Sequence, residues 1–332
     1  STQLAPECGC GPELRHCVTR TVQNEIVDHM IEQLLDHADR IVDGDEPYNN
    51  LILGRQYRVN GPIVHYYRYL TNAGPNFVAA TADPGYPLPD LNFTQKDWVS
   101  VEATSPLHSG VLTLPGFLLK FQSNRGRANR FYNAFLCRSF EAPEGGLPAS
   151  DDECNDEPDL TRRCGCAYCH STLEPASAHW GRWTEGGLAP MDAEQFPRYQ
   201  RMCDPSVNPR ANNNFLCRRF YMVDPVHEKE HAYSGQLISY VFADEHSLRA
   251  ETIENGPRQI ALEAVENGQF AQCATQKMWQ LFMGRAPTES EGSILGQLSM
   301  DFAESTTLRG LIHSIVTQPE YRYARLLEQE AI

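Results

Sequence analysis

Two thiols and an imidazole stand within five residues at Cys166-Ala167-Tyr168-Cys169-His170, and no other feature constrains the chain so strongly. The Cys-x-x-Cys spacing brings two sulfurs to one side of a turn, and the next residue adds a ring nitrogen. This arrangement bonds both vinyl groups of a haem through thioether links and sets the imidazole under the iron as proximal ligand. The run therefore predicts haem c attached at Cys166 and Cys169, with His170 on the metal. The competing reading is a set of structural disulfides that happens to precede a histidine. Cys164, two residues before Cys166, supplies a partner for it.

The chain holds eleven cysteines in 332 residues, more than a reduced cytosolic protein carries without another metal signature. With two on haem, nine remain: Cys8, Cys10, Cys17, Cys137, Cys154, Cys164, Cys203, Cys217 and Cys273. Their odd number leaves at least one unpaired or bonded to another molecule, a route to self-association or assembly. The pairing is not legible, but an oxidising compartment is, so a periplasmic or extracellular bacterial protein is expected. Ser1 to Pro6 show neither a basic start nor an apolar stretch, which suggests a processed, mature form. No apolar run approaches the roughly 20 residues that span a bilayer. The formal charge of −15 argues against a nucleic-acid partner; it can steer a basic redox partner protein, or it only keeps a secreted protein soluble.

Along the chain, residues 1–20 form a Cys/Gly/Pro-rich arm expected to be stapled by disulfides. Ile26, Val27, Met30, Ile31, Leu34, Leu35, Ala38, Ile41 and Val42 then recur at helical spacing up to Asp43-Gly44. A tyrosine-rich helix is predicted over Gly61–Leu70, with Pro62 near its start. Residues 71–106 are a long irregular connection. A helical segment follows Leu114-Pro115-Gly116, with a basic patch at Arg125, Arg127 and Arg130. Residues from about Arg258 onward are helical, punctuated by Gly268, Gly284 and Pro319. Arg127-Ala128-Asn129 before Phe135-Leu136-Cys137-Arg138 is echoed by Arg210-Ala211-Asn212 before Phe215-Leu216-Cys217-Arg218. The expected fold is mainly α and disulfide-stapled, with long loops. It comprises an N-terminal helical region (1–106), a cytochrome c-like haem-binding centre (107–235) and a C-terminal helical region (236–332).

Several runs carry a family resemblance. Upstream stand Asn50-Leu51-Ile52 and Tyr57-Arg58-Val59-Asn60-Gly61-Pro62, then His108-Ser109-Gly110-Val111-Leu112-Thr113-Leu114-Pro115-Gly116-Phe117-Leu118 and Phe135-Leu136-Cys137. After the haem motif come Leu173-Glu174-Pro175 and Trp180-Gly181-Arg182-Trp183. Phe270, Cys273, Trp279, Gly284-Arg285 and the stretch Leu308, Leu311, Ile312 follow. In this order the chain resembles the planctomycete and myxobacterial type of cytochrome c, over roughly residues 45–325. Members carry Cys-x-x-Cys-His between helical domains of unknown role. The resemblance implies an exported monohaem electron carrier, and it is silent between about 184 and 235.

A six-coordinate haem needs a second axial ligand, commonly Met or His. Met191 follows His170 by 21 residues and Met222 by 52, and these are the distal candidates; Met202, His227, His231, His108 and His179 remain open. Other readings are a haem enzyme with an open sixth position, peroxidase-like, and a surface or structural assembly protein that carries haem. A third competitor is a secreted zinc hydrolase: His227-Glu228-Lys229-Glu230-His231 fits His-Glu-x-x-His, with Glu251 as a third ligand, if the run is helical. Asp151, Asp152, Glu153, Asp156, Glu157 and Asp159 lack regular calcium spacing and suggest a solvated loop. Asn92-Phe93-Thr94 is a glycosylation sequon, relevant only in a eukaryotic secretory pathway.

Overall fold

The computed structural model describes residues 20–72, 85–140, 153–185 and 187–323, and it is mainly helical. The first helix, α1 (Arg20–Asp43), sends Ile26, Met30 and Ile41 into the core together with Gln33 and His37. These two buried polar groups meet backbone carbonyls: Gln33 Nε2 donates to Arg58 O at 2.6 Å, and His37 Nε2 lies 3.2 Å from Asn50 O. Val27, Ile31 and Leu35 stay exposed. The apolar stripe written in the sequence is therefore wider than the face that packs.

After α2 (Asn50–Leu53), β1 (Gln56–Val59) precedes α3 (Gly61–Asn72) and pairs antiparallel with β2 (Val99–Glu102), Gln56 opposite Glu102. Strand β2 lies inside the stretch expected to be irregular. Four residues give too few alternations to stand out in a Pro- and Asn-rich background. Helix α4 (Pro115–Lys120) opens on a proline, whose missing N–H is not needed in the first turn. Helix α5 (Asn124–Phe135) is capped by Ser123, whose Oγ accepts from Gly126 N.

The Cys-x-x-Cys-His segment begins α6 (Ala167–Ala178), which packs on α5 and on α8 (Arg249–Glu266), beyond the short α7 (Phe215–Phe220). Helix α8 bends at Gly256, whose φ of +71° ahead of Pro257 suits a residue without Cβ. Helices α9 (Gln269–Met283), α10 (Gly292–Ser305) and α11 (Leu308–Val316) enclose Trp279, Leu298, Phe302, Leu311 and Ile315.

The largest core joins Met30 of α1, Val59 of β1, Phe131 of α5, Trp180 after α6, and Ile260 of α8. It runs across residues 106 and 235, where region boundaries were expected. Each large side chain buried there stabilises the fold by roughly 1.5–3 kcal/mol. Among the described residues three disulfides tie elements together. Cys137–Cys273 links the end of α5 to α9 across 136 residues, Cys154–Cys164 closes the loop before α6, and Cys203–Cys217 ties a 3-10 turn to α7. The disulfide-rich arm with Cys8, Cys10 and Cys17 lies outside the described residues.

One expectation, the basic patch, is corrected, and the local echo is shown to be no more than that. Arg127 is fully buried and Arg125 is paired with Glu174, so no basic patch stands at 125–130. The Arg-Ala-Asn echo is not a structural repeat, because Arg127 is buried inside α5 whereas Arg210 is an exposed residue before a 3-10 turn.

Candidate functional site

The Cys154–Cys164 bridge fixes the chain two residues ahead of the first motif cysteine. Cys166 is the N-cap of α6, Ala167 N donates to Arg163 O (2.7 Å), and His170 N donates to Cys166 O (2.9 Å). Cys166 and His170 are thus one helical turn apart on one side, with Cys169 adjoining. Six of the eight described cysteines pair with one another, and the two that fall outside these bridges are Cys166 and Cys169. Cys164, which gave the all-disulfide reading its force, is paired away from the motif.

One turn further along α6, Glu174 Oε1 lies 2.6 Å from His170 Nδ1. The same oxygen accepts from Arg125 Nε at 2.6 Å, and only 8% of the Glu174 side chain is exposed. Burial works to raise the Glu174 pKa, but the hydrogen bonds from Arg125 and His170 and the charges of Arg125 and Arg249 outweigh it. The carboxyl is held below its usual range. A carboxylate acceptor at this point makes Nδ1 the protonated nitrogen of His170 and leaves Nε2 with the lone pair.

The face of α6 that carries His170 and Glu174 continues through Ser177 to Gly181 along a cleft of about 360 Å³. Arg125, Arg249, Trp183 and Met191 also line it. Arg249 opens α8, and its Nε is buried with no hydrogen-bond partner among the described residues. Burial draws its pKa below the ordinary value, against the pull of Glu174 and Asp159. A buried N–H left in that state costs about 1–3 kcal/mol, which an acidic ligand group would recover. Cys166, Cys169 and His170 are not among the residues that line this cleft, but their chemistry fits haem c. They supply two thiols and an imidazole of fixed tautomer within one turn, with Arg249 beyond Glu174 able to meet an acidic group. A second cleft of about 490 Å³ lies against the other side of α6, bordered by Ser171, Pro175, His179, His246 and Glu251.

The distal candidates separate. Met191 is buried beside Phe196 and lines the cleft of Glu174, its N–H held by Arg182 O at 2.7 Å. Met222 packs instead against Tyr233, Val241 and Phe242. His108 sits among Tyr57, Tyr86 and Trp183 with Nδ1 3.1 Å from Thr113 Oγ1, and His179 Nδ1 lies 3.0 Å from Gly256 O. Met202 is exposed.

The His-Glu-x-x-His run does not form the α-helix that its zinc reading requires. Glu228–Tyr233 is a 3-10 helix, in which residues four apart do not share a face. His227 is its N-cap and accepts from Lys229 N, while Glu230 accepts from His227 N. No three His, Cys, Asp or Glu side chains gather to hold a metal among the described residues. In the acidic segment, Glu157 pairs with Lys229 at 2.5 Å, and buried Asp159 binds His246 at 2.6 Å; Asp151 and Asp152 lie outside the described residues.

Sequence reasoning gave Glu174, Arg125 and Arg249 no place in the site. Glu174 had a signal, its i+4 spacing from His170 on a helix. Arg249 had none, because only the tertiary fold brings α8 to α6. No protein-family model, curated protein or solved structure matches the chain.

Proposed function

We propose that the protein is an exported monohaem c-type cytochrome that carries single electrons, with haem bonded to Cys166 and Cys169 and His170 Nε2 as proximal ligand. The observation that carries this reading is the motif's geometry: Cys166 caps α6 one turn before His170, Cys169 adjoins them, and Glu174 orients the imidazole. When bound, haem supplies one-electron exchange between ferric and ferrous iron. Cys166 and Cys169 hold the ring edge, Glu174 keeps the His170 proton on Nδ1, and Arg249 offers its unsatisfied N–H to a propionate. Met191, which lines the cleft beside Glu174, is favoured over Met222 as the residue that would offer a thioether to the iron, and such a ligand would raise the potential. The resemblance to planctomycete and myxobacterial cytochromes points the same way.

The electron arrives from a reduced redox protein and leaves to an oxidised one. The net charge of −15 favours basic partners. Export is supported by the three disulfides. No helix among the described residues is long and apolar enough to cross a membrane. A second reading, a haem enzyme with an open sixth position, draws on the carboxylate behind His170, which favours a more highly charged iron.

Expression in a host that exports and ligates haem tests the proposal. The protein should be red, give a c-type pyridine haemochrome, and retain haem under denaturing electrophoresis. Cys166→Ala and Cys169→Ala should each weaken that retention. A colourless protein with the mass of the bare polypeptide would overturn it, and rapid cyanide binding to a high-spin ferric form would favour the enzyme.

A further inference from the structure

We infer that Glu174 is a positioning residue for the proximal histidine: it fixes the His170 ring in the Nδ1–H tautomer and biases bound iron towards the oxidised state, with Arg125 as counterweight. The inference rests on the haem reading above and concerns how that site is tuned.

The contact is not an ordinary surface pair of i and i+4 residues, which is worth only a few tenths of a kcal/mol. Glu174 has 8% of its side chain exposed, so its charge acts through protein rather than water. Its carboxylate is anchored from a second helix, because Arg125 Nε of α5 holds the same oxygen at 2.6 Å. The ring is therefore gripped by a group that cannot swing into solvent without breaking that bond. A backbone carbonyl in this place would orient the imidazole equally well but add no charge. A carboxylate does both, since it raises the basicity of the ligating nitrogen and so favours the higher charge on the metal.

Arg125 opposes this effect. Its guanidinium draws charge from the shared oxygen, but 53% of its side chain is exposed and water screens it. The two residues should thus move the iron in opposite directions and by unequal amounts, which a merely structural role would not do.

The test uses the holoprotein as wild type, Glu174→Gln and Arg125→Gln. Each is weighed for covalent haem and then titrated against redox dyes. All three should retain haem. Glu174→Gln should shift the reduction equilibrium towards ferrous iron at least ten-fold, about 59 mV for a one-electron couple. Arg125→Gln should shift it towards ferric iron by less. If haem is retained and Glu174→Gln matches wild type, the inference falls while the cytochrome reading stands. It falls equally if both variants move in one direction. Should Glu174→Gln fail to fold, Arg125→Gln at its half-exposed position decides: no shift towards ferric iron overturns the inference. Wild type without haem removes the reading and the inference together.

Discussion

Acidification from about pH 7 to pH 4.5 should destabilise the fold by roughly 2–3 kcal/mol through one side chain, His179. This residue ends α6, is 6% exposed, and places Nδ1 3.0 Å from Gly256 O at the bend of α8. Burial holds its pKa down at about 4, with the Gly256 hydrogen bond acting the other way. In the unfolded chain the ring titrates near 6.5. Between these values the unfolded state binds a proton that the folded state refuses. Stability is therefore complete above pH 6.5 or so, falls as the pH drops, and levels off below about 4. At ~1.36 kcal/mol for each pH unit the gap bounds the loss at ~3 kcal/mol, most of it spent by pH 4.5. The assay is urea unfolding of wild type and His179→Gln at both pH values. The glutamine amide can still donate to Gly256 O but does not titrate. The stability difference between the two proteins should shift by roughly 2–3 kcal/mol in favour of glutamine on acidification. Buried carboxylates such as Glu174 also lose stability in acid, but they are common to both proteins and cancel. An unchanged difference at the two pH values would refute the account.

The Cys137→Ala/Cys273→Ala double variant should lose up to ~5 kcal/mol against about 3 kcal/mol for removal of Cys203–Cys217, because the loop-entropy gain grows with separation; urea midpoints that rank the two in reverse order would contradict this. Arg127→Met should cost at least ~3 kcal/mol, because it strips a buried guanidinium from several carbonyls and each orphaned group costs about 1–3 kcal/mol. Those carbonyls belong to Leu118, Phe121, Thr184 and Gly187, and a near-wild-type melting point would show that water replaces the side chain. In the holoprotein, Met191→Ala should convert ferric haem to a high-spin, cyanide-binding form while Met222→Ala leaves its spectrum intact; the opposite pattern would reject the cleft assignment.

What was legible follows from the range of each signal. The α1 period, the Pro115 start, and the Gly268 and Gly284 boundaries are local, and the structure places helices accordingly. Glu174 is equally local, four residues after His170, but the sequence marks it only as part of the run Leu173-Glu174-Pro175 and not as a partner of the imidazole. The exposure of Val27, Ile31 and Leu35 was not legible, since periodicity reports apolar character and not which face finds a partner. Arg127 misled in the opposite sense: charge suggested surface, yet carbonyls of α4 and of the 184–187 turn solvate it inside. His227 and His231 failed because the spacing that joins two imidazoles holds only at 3.6 residues per turn. The cysteine pairing required tertiary contacts across as many as 136 residues.

That pairing bears on how the motif stays available in oxidising surroundings. On the haem reading, a loose Cys164 is a competitor. A disulfide oxidant of the exporting compartment would form a mixed disulfide with one thiol, and the second thiol would displace the reduced oxidant. Cys164 would end bonded to Cys166 or Cys169, which then could not take haem. The Cys154–Cys164 bridge removes this competitor and also holds the backbone where α6 begins. Cys154→Ala should therefore lower the haem-loaded fraction several-fold, with a disulfide from Cys164 to the motif appearing in peptide maps. Cys154→Ala/Cys164→Ala lacks both the bridge and the competitor, and should recover most of the loading. If the single variant loads as well as wild type, protection of the motif is not the bridge's role. If the double variant loads as poorly as the single, the bridge acts by fixing the entry to α6 and not by sequestering Cys164.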